Sequence, residues 1–318
     1  MPIRNGMPMS IPRSLRELSK KAIRKTFEVG QHIGLNILPL HFYSGIPDLR
    51  ELKRDEDWKK PRSMVGVSGT DIPSQFSFIR ECCRDGLNHR LRRLGIYDAC
   101  RRENGDDGYG AVEADFLYCF IFSKQPKRIV QVGAGLSTAV ILLAAREADY
   151  QPEVICIDPY PNPFLVRSHQ EGRIKLIRQK AQALDHEFLS DLGEDGLLFI
   201  DSTHAVKPGS EVNFIILEVL PRLQPGHWVH FHDIYFPYDY SRDILRKGLF
   251  FPNESVLLHA FLIGNPRFSV RAALGMLHYA DPEKLQEYLP RYQPAQNIEG
   301  LAVSPGDFPS ALYLQVVG

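Results

Sequence analysis

From residue 128 onward, short runs of β-branched and apolar residues alternate with segments of helix length, and this alternation limits the chain to very few folds. The runs are 128–132, 153–157, 174–177, 197–200 and 228–232, with helical intervals at 138–148 and 211–223. Strands separated by helices build βαβ units, which pair in parallel and are covered on both faces. Beyond the fifth run come a helix near 254–262, a run at 268–272, a helix at 282–289 and a last strand signal at 311–317. The expected architecture is α/β with seven strands.

What precedes the alternation is different in kind. Pro39, Pro47, Pro61 and Pro73 break residues 36–115, a helix is expected over 74–94, and Asn104-Gly105-Asp106-Asp107-Gly108 is a turn cluster. An apolar helix at 113–123 then leads into the first strand. The reading is an N-terminal, mainly helical extension over 1–112 and a ligand-binding domain over 113–318.

The chain has 38 Lys+Arg and 38 Asp+Glu among its 318 residues, so no global basic field recruits nucleic acid and a small molecule or a protein is the expected partner. That neutrality is a sum over unlike parts. Arg4, Arg13, Arg16, Lys20, Lys21, Arg24 and Lys25 face only Glu17 and Glu28 in the first 28 residues. Leu15, Leu18, Ala22, Val29 and Ile33 recur near helical spacing among them, which predicts an amphipathic helix over 14–33. It is either a contact for a partner or anionic surface, or a solvated helix packed on the main domain. Five cysteines without a CxxC pair read as reduced thiols. With no membrane-span-length apolar stretch and no signal-peptide core, the expected location is cytoplasmic. A homo-oligomer is left open.

Open parallel sheets bind ligands outside the carboxyl ends of their strands, where the strand order reverses. The first strand ends in Gln131-Val132-Gly133-Ala134-Gly135-Leu136-Ser137-Thr138 and enters a helix. Gly133 and Gly135 let the backbone turn tightly and approach a ligand, and Ser137 or Thr138 is the expected cap of the helix. Asp158 closes the second strand, where a carboxylate can hold a ribose diol. Thr138 stands where a dinucleotide fingerprint wants a third glycine, so a nucleoside ligand without a diphosphate fits better than a nicotinamide cofactor.

With these motifs, residues 113–318 resemble the class I S-adenosylmethionine-dependent methyltransferases, and 131–138, 199–210 and 230–240 resemble the bacterial subgroup called methyltransferase family 24. His41-Phe42-Tyr43-Ser44 and the Tyr109-Gly110 turn before Asp115 extend the resemblance to about residue 40. It implies a Rossmann-like sheet whose last strand is antiparallel, Gly133 and Gly135 beside the amino-acid moiety of S-adenosylmethionine, and Asp158 on its ribose. It also implies Gln182 as an adenine contact and Tyr109 as a residue closing over the cofactor. Where many members carry Glu two positions before the first glycine, this chain has Gln131.

The fourth strand ends Asp201-Ser202-Thr203-His204 and the fifth ends His230-Phe231-His232-Asp233, so the sheet would bring Asp201, His204, His232 and Asp233 together. The spacing resembles the metal-dependent catechol O-methyltransferases, which implies a divalent metal on Asp201, His232 and Asp233 and a general base at His204. A hydroxyl attacks a sulfonium methyl poorly until a base or metal draws off its proton. An imidazole ligand in place of oxygen shifts the preference from magnesium toward manganese, iron or zinc. The same set also works as a metal-free acid–base pair, or Asp201 and His232 are satisfied structural groups. His227 and His230 read as structural. Tyr235, Phe236, Tyr238, Tyr240, Phe250 and Phe251 either line an acceptor pocket or pack a long loop. The expected activity is methyl transfer to a hydroxyl oxygen of a small molecule. The rivals are an NAD-dependent oxidoreductase and a non-catalytic methyltransferase-like binding module.

Overall fold

Seven strands, β1 (Arg128–Val132), β2 (Glu153–Ile157), β3 (Lys175–Ile177), β4 (Leu197–Ile200), β5 (Trp228–Phe231), β6 (Phe268–Ala273) and β7 (Leu312–Val316), form one sheet in the order β3-β2-β1-β4-β5-β7-β6. The ladders from β3 to β5 are parallel, and β7 runs antiparallel to both β5 and β6. The computed structural model describes residues 13–84, 86–242, 244, 250–297, 300–302 and 308–318. Arg4 lies outside them.

Alternation along the strands sends side chains to two cores. Ile129, Cys156, Leu197, Phe199 and Tyr313 face one, while Val130, Val132, Ile155, Leu198, Ile200 and Phe231 face the other. Both faces are dry, which is why the strands read as continuous apolar runs. On the first face pack α3 (Ile72–Cys82), α4 (Leu87–Leu94), α5 (Ile96–Asn104), α6 (Ala111–Lys124), α7 (Leu136–Glu147) and α8 (Pro163–Gln170). The second is covered by α9 (His186–Ser190), α10 (Glu211–Phe214) with the π turn that continues it, and α11 (Glu254–Leu262). Every residue of α6 from Ala111 to Ile121 is buried, as expected of a helix apolar all round.

The helix expected over 74–94 is two helices. Gly86, at φ 98°, adopts a backbone that side-chain-bearing residues rarely take, and it separates α3 from α4. The chain forms two compact units, Met1–Glu56 and Asp57–Gly318, so the division falls well before the expected 112/113. The reason is that residues 64–82 are built into the sheet domain. Gly264 N–H donates to Gly66 O (2.8 Å) and Val270 N–H to Ser68 O (2.9 Å), covering the open edge of β6. Gly69 lies so close that a Cβ there would meet Val270 O at 2.2 Å. Gln75 then bridges the two segments, donating to Gly69 O and accepting from Ala273 N–H.

The unit Met1–Glu56 contains α1 (Arg13–His32), close to the expected helix, and the short α2 (Leu49–Arg54). Among the described residues no helix is long and apolar enough to cross a membrane.

Candidate active site

The strand order reverses between β1 and β4, and there the β1 turn is pressed against the end of β4. Gly133 has φ 79°, and a Cβ on it would lie 1.7 Å from the carbonyl oxygen of Asp201, so only glycine fits. The expected close approach at Gly133 is thus first of all to the protein's own backbone. Gly135 has ordinary space around it, with Asn104 the nearest group at 3.7 Å.

Gly135 takes the cap position of α7 itself, and the two hydroxyls expected to cap are turned inward onto Gln131. Thr138 Oγ1 donates to Gln131 Oε1 (2.8 Å) and accepts from Gly135 N–H (3.2 Å), while Gln131 Nε2 donates to Ser137 Oγ (3.3 Å). Gln131 therefore fixes the turn from within β1. Asp158 is held at the end of β2, its Oδ1 accepting Tyr160 N–H at 2.7 Å. Gln182 lies in a single 3-10 turn after β3 and donates to Gly209 O at 2.8 Å.

The four strand-end residues do converge. Asp201 Oδ1 lies 3.2 Å from His232 Nδ1 and 3.4 Å from His204 Nε2, and Asp233 Oδ2 is 3.9 Å from each of the same two nitrogens. One ligating atom each from Asp201, His204 and His232 fall within 4.8 Å of one another. Both His204 and Asp233 have left-handed backbones, φ 54° and 53°, which re-aim their side chains into the cluster.

Each histidine is gripped on its other nitrogen by a buried glutamate that the sequence reading did not single out. Glu254 Oε2, at the start of α11, lies 2.8 Å from His204 Nδ1, and Glu113 Oε2, in the first turn of α6, lies 2.8 Å from His232 Nε2. Both glutamates are almost fully buried. Ser310 Oγ lies within donating distance of Glu113 Oε1 and Asp233 Oδ1, and Tyr235 hydroxyl donates to Asp233 Oδ1. A signal for Glu113 was present: an acid inside an otherwise apolar helix is buried either with a partner or, as Asp115 in the same helix shows, with its pKa raised.

Electrostatics follow from this packing. Burial opposes charge on His204, but Asp201 and Glu254 outweigh it and raise its pKa to about 10. Burial likewise opposes charge on His232, and Glu113 and Asp201 hold it well above the ordinary histidine range. In return, the two imidazoles hold Asp201 and Asp233 below the usual carboxylate range despite their burial. Burial pushes Glu254 up, with His204 pulling the other way.

Tyr109 packs its ring 4.8 Å from that of His232, and its hydroxyl sits 3.3 Å from His230 Nε2. His230 is buried and stacked on Phe199, and burial holds it well below the ordinary pKa, so it stays neutral. His227 bridges Gly193 O and Gln224 N–H, a structural role. A cavity of about 360 Å³ opens beside the cluster, bounded by Tyr109, Glu113, His232, Asp233, Tyr235 and Phe308 among others. Of the aromatic residues expected in the acceptor loop, Tyr235 reaches this cavity, Phe236 is in the core, and Phe250 is exposed.

A sheet in this order with an antiparallel final strand, a glycine turn at the reversal and an acid closing β2 defines the class I S-adenosylmethionine-dependent methyltransferase fold. Residues 130–234, from β1 to just past β5, match the family described as "Methyltransferase domain". A protein of Archaeoglobus fulgidus, itself uncharacterized, is 26% identical over 198 residues, covering 57% of this chain and 85% of its own length. Among solved structures, SAH-bound PaMTH1 of Podospora anserina is similar at 15% identity and TM-score 0.40, covering 74% of this chain and 89% of its own. The plantazolicin methyltransferase BpumL is similar at 11% identity and TM-score 0.36, covering 78% of this chain and 97% of its own.

Proposed function

We propose that the protein transfers the methyl group of S-adenosylmethionine to a hydroxyl oxygen of a small molecule at the carboxyl ends of β1, β4 and β5. The observation that carries this reading is the convergence of Asp201, His204, His232 and Asp233 beside Gly133. The cofactor's sulfonium supplies an electrophilic methyl. In this reading Gly133 and Gly135 with the Ser137–Thr138 turn form its floor, Asp158 takes the ribose, Gln182 the adenine, and Tyr109 closes over it. Thr138, buried and bonded to Gln131, favours this cofactor over a nicotinamide dinucleotide.

Toward the acceptor, His204 Nε2 takes the hydroxyl proton once it has released its own, a step that its raised pKa moves toward alkaline pH, while Glu254 on Nδ1 orients the ring. Asp201 and Asp233 orient the acceptor for in-line attack. In the alternative in which His204 Nε2 ligates a metal instead of taking the proton, Asp201 Oδ1, His204 Nε2 and His232 Nδ1 form a compact donor set with Asp233 Oδ2 3.9 Å from both nitrogens, while the glutamates hold the outer nitrogens, as metal-bound histidines are usually held. Such an ion would acidify the acceptor hydroxyl, and two imidazoles favour manganese, iron or zinc over magnesium.

Calorimetric titration with S-adenosylmethionine is the first test. Saturable binding is expected, and no binding at millimolar cofactor overturns the proposal. His204→Ala should lower kcat about 10²–10⁴-fold with cofactor affinity unchanged. Elemental analysis of untagged protein separates the metal form from the metal-free form, and methyl incorporation from labelled cofactor into extracts separates an enzyme from a binding module.

A further inference from the structure

We propose that the unit Met1–Glu56 docks the protein onto an anionic phospholipid surface, with α1 lying in the plane of the interface. Of the eighteen large apolar side chains exposed among the described residues, eleven fall between Leu18 and Ile46. From Glu17 to Glu56 only Gly30 is buried, so this unit has apolar side chains in quantity and no core of its own to hold them. A helix buries its apolar stripe against something, and a dense exposed patch marks a surface for a partner.

The geometry joins helix and following segment into one apolar surface. Leu18, Ala22, Val29 and Ile33 share a stripe at helical spacing, with Leu18 65%, Val29 56% and Ile33 68% exposed. At Gly34 (φ 79°) the chain turns back, and Leu35 N–H donates to Gly30 O at 2.8 Å. Ile37 comes to rest over Gly30, where any Cβ would meet Leu35 O at 2.7 Å. Leu38, Leu40 and Phe42 follow and are exposed as well, Phe42 by 87%.

Charge decides what covers it. Arg13–His32 contains six Lys+Arg against two Glu, and Lys20, Lys21, Arg24 and Lys25 take the helix faces beside and opposite the apolar stripe. A second copy of the same unit would set cations against cations. An anionic bilayer satisfies both halves, apolar side chains entering the acyl boundary and cations staying among the phosphates. The absence of a spanning helix among the described residues fits a segment that lies on the membrane.

The test is co-sedimentation of the full chain with vesicles of phosphatidylcholine alone and of phosphatidylcholine mixed with phosphatidylglycerol. Binding is expected only to the mixed vesicles, weakening with salt and by about five-fold for each cation removed. The quadruple variant Lys20→Glu, Lys21→Glu, Arg24→Glu, Lys25→Glu should stay in the supernatant, as should Leu18→Ser with Val29→Ser and Ile33→Ser. All these positions are solvent-facing, and an unchanged thermal transition confirms folding. As an independent readout, the Phe42→Trp variant should blue-shift on binding and be quenched by brominated lipid. Equal binding to neutral vesicles, no binding, or charge-independent self-association through this unit without lipid each overturns the proposal. The outcome does not depend on the methyl-transfer reading.

Discussion

At the residue scale, Gly133 and Asp115 show how one position carries a constraint the neighbours impose. A methyl group at 133 would sit inside the Asp201 carbonyl and would also strain a left-handed backbone. Gly133→Ala should therefore cost at least ~2 kcal/mol in denaturant unfolding and abolish cofactor binding by shifting the β1 and β4 ends apart. Asp115 is buried in α6 with no hydrogen-bond partner on either oxygen among the described residues and Arg291 only at 4.0 Å. Burial raises its pKa from 3.8 to about 7. Between those values the folded chain holds a proton that the unfolded chain has released, so this group's contribution to stability falls as pH rises across the window. Asp115→Asn should flatten that slope and stabilise the protein above neutrality by a few kcal/mol. Urea midpoints measured from pH 4 to 8 check it, and an unchanged slope would refute it.

At the element scale, the sheet edge and the site are each held by side chains reaching between distant segments. Gln75 on α3 satisfies Ala273 N–H on β6 and reaches Gly69 O in the strand-like cover of that edge. Gln75→Ala leaves a buried N–H without a partner and should destabilise by about 1–3 kcal/mol. Hydrogen exchange should show the loss of protection at β6 first, with β1 to β4 unaffected. The site is similarly stitched: α6 supplies Glu113, α11 supplies Glu254, and both reach histidines at the sheet's carboxyl ends. The seven strands are legible in the sequence because each is an isolated apolar run, and their observed limits fall within a residue of the expected ones. Residues 74–94 read as one long helix because their apolar positions keep helical spacing across Gly86, and spacing does not report a backbone reversal.

At the scale of the whole molecule, the division after Glu56 predicts how the chain tolerates truncation. A chain of 57–318 should unfold cooperatively with a transition close to that of the full protein, since both sheet cores and the β6 edge cover remain. A chain of 113–318 should fail to fold or aggregate, because it bares α6, which is buried all round, and the edge of β6. Thermal unfolding followed by circular dichroism distinguishes the two; a stable 113–318 chain would restore the boundary read from the sequence. The proline-broken stretch resembles an extension because it has no strand pattern, yet Met64, Val67, Phe76 and Phe78 belong to the sheet cores.

By itself the sequence determined the α/β class, the seven strands of the main sheet, the glycine turn at the end of the first strand and the four polar residues at the fourth and fifth strand ends. Those are local properties: periodicity, chain reversal and the end of an apolar run are all written in neighbouring residues. Only the tertiary structure decided that Gly133 is forced by Asp201, that Gln131 takes the hydroxyls of Ser137 and Thr138, and that Glu113 and Glu254 hold the two histidines. Each of those pairings unites groups from different elements, most of them far apart in the chain. Backbone close approach decides the first, and the need of a buried polar group for a hydrogen bond decides the others; spacing along the chain encodes neither.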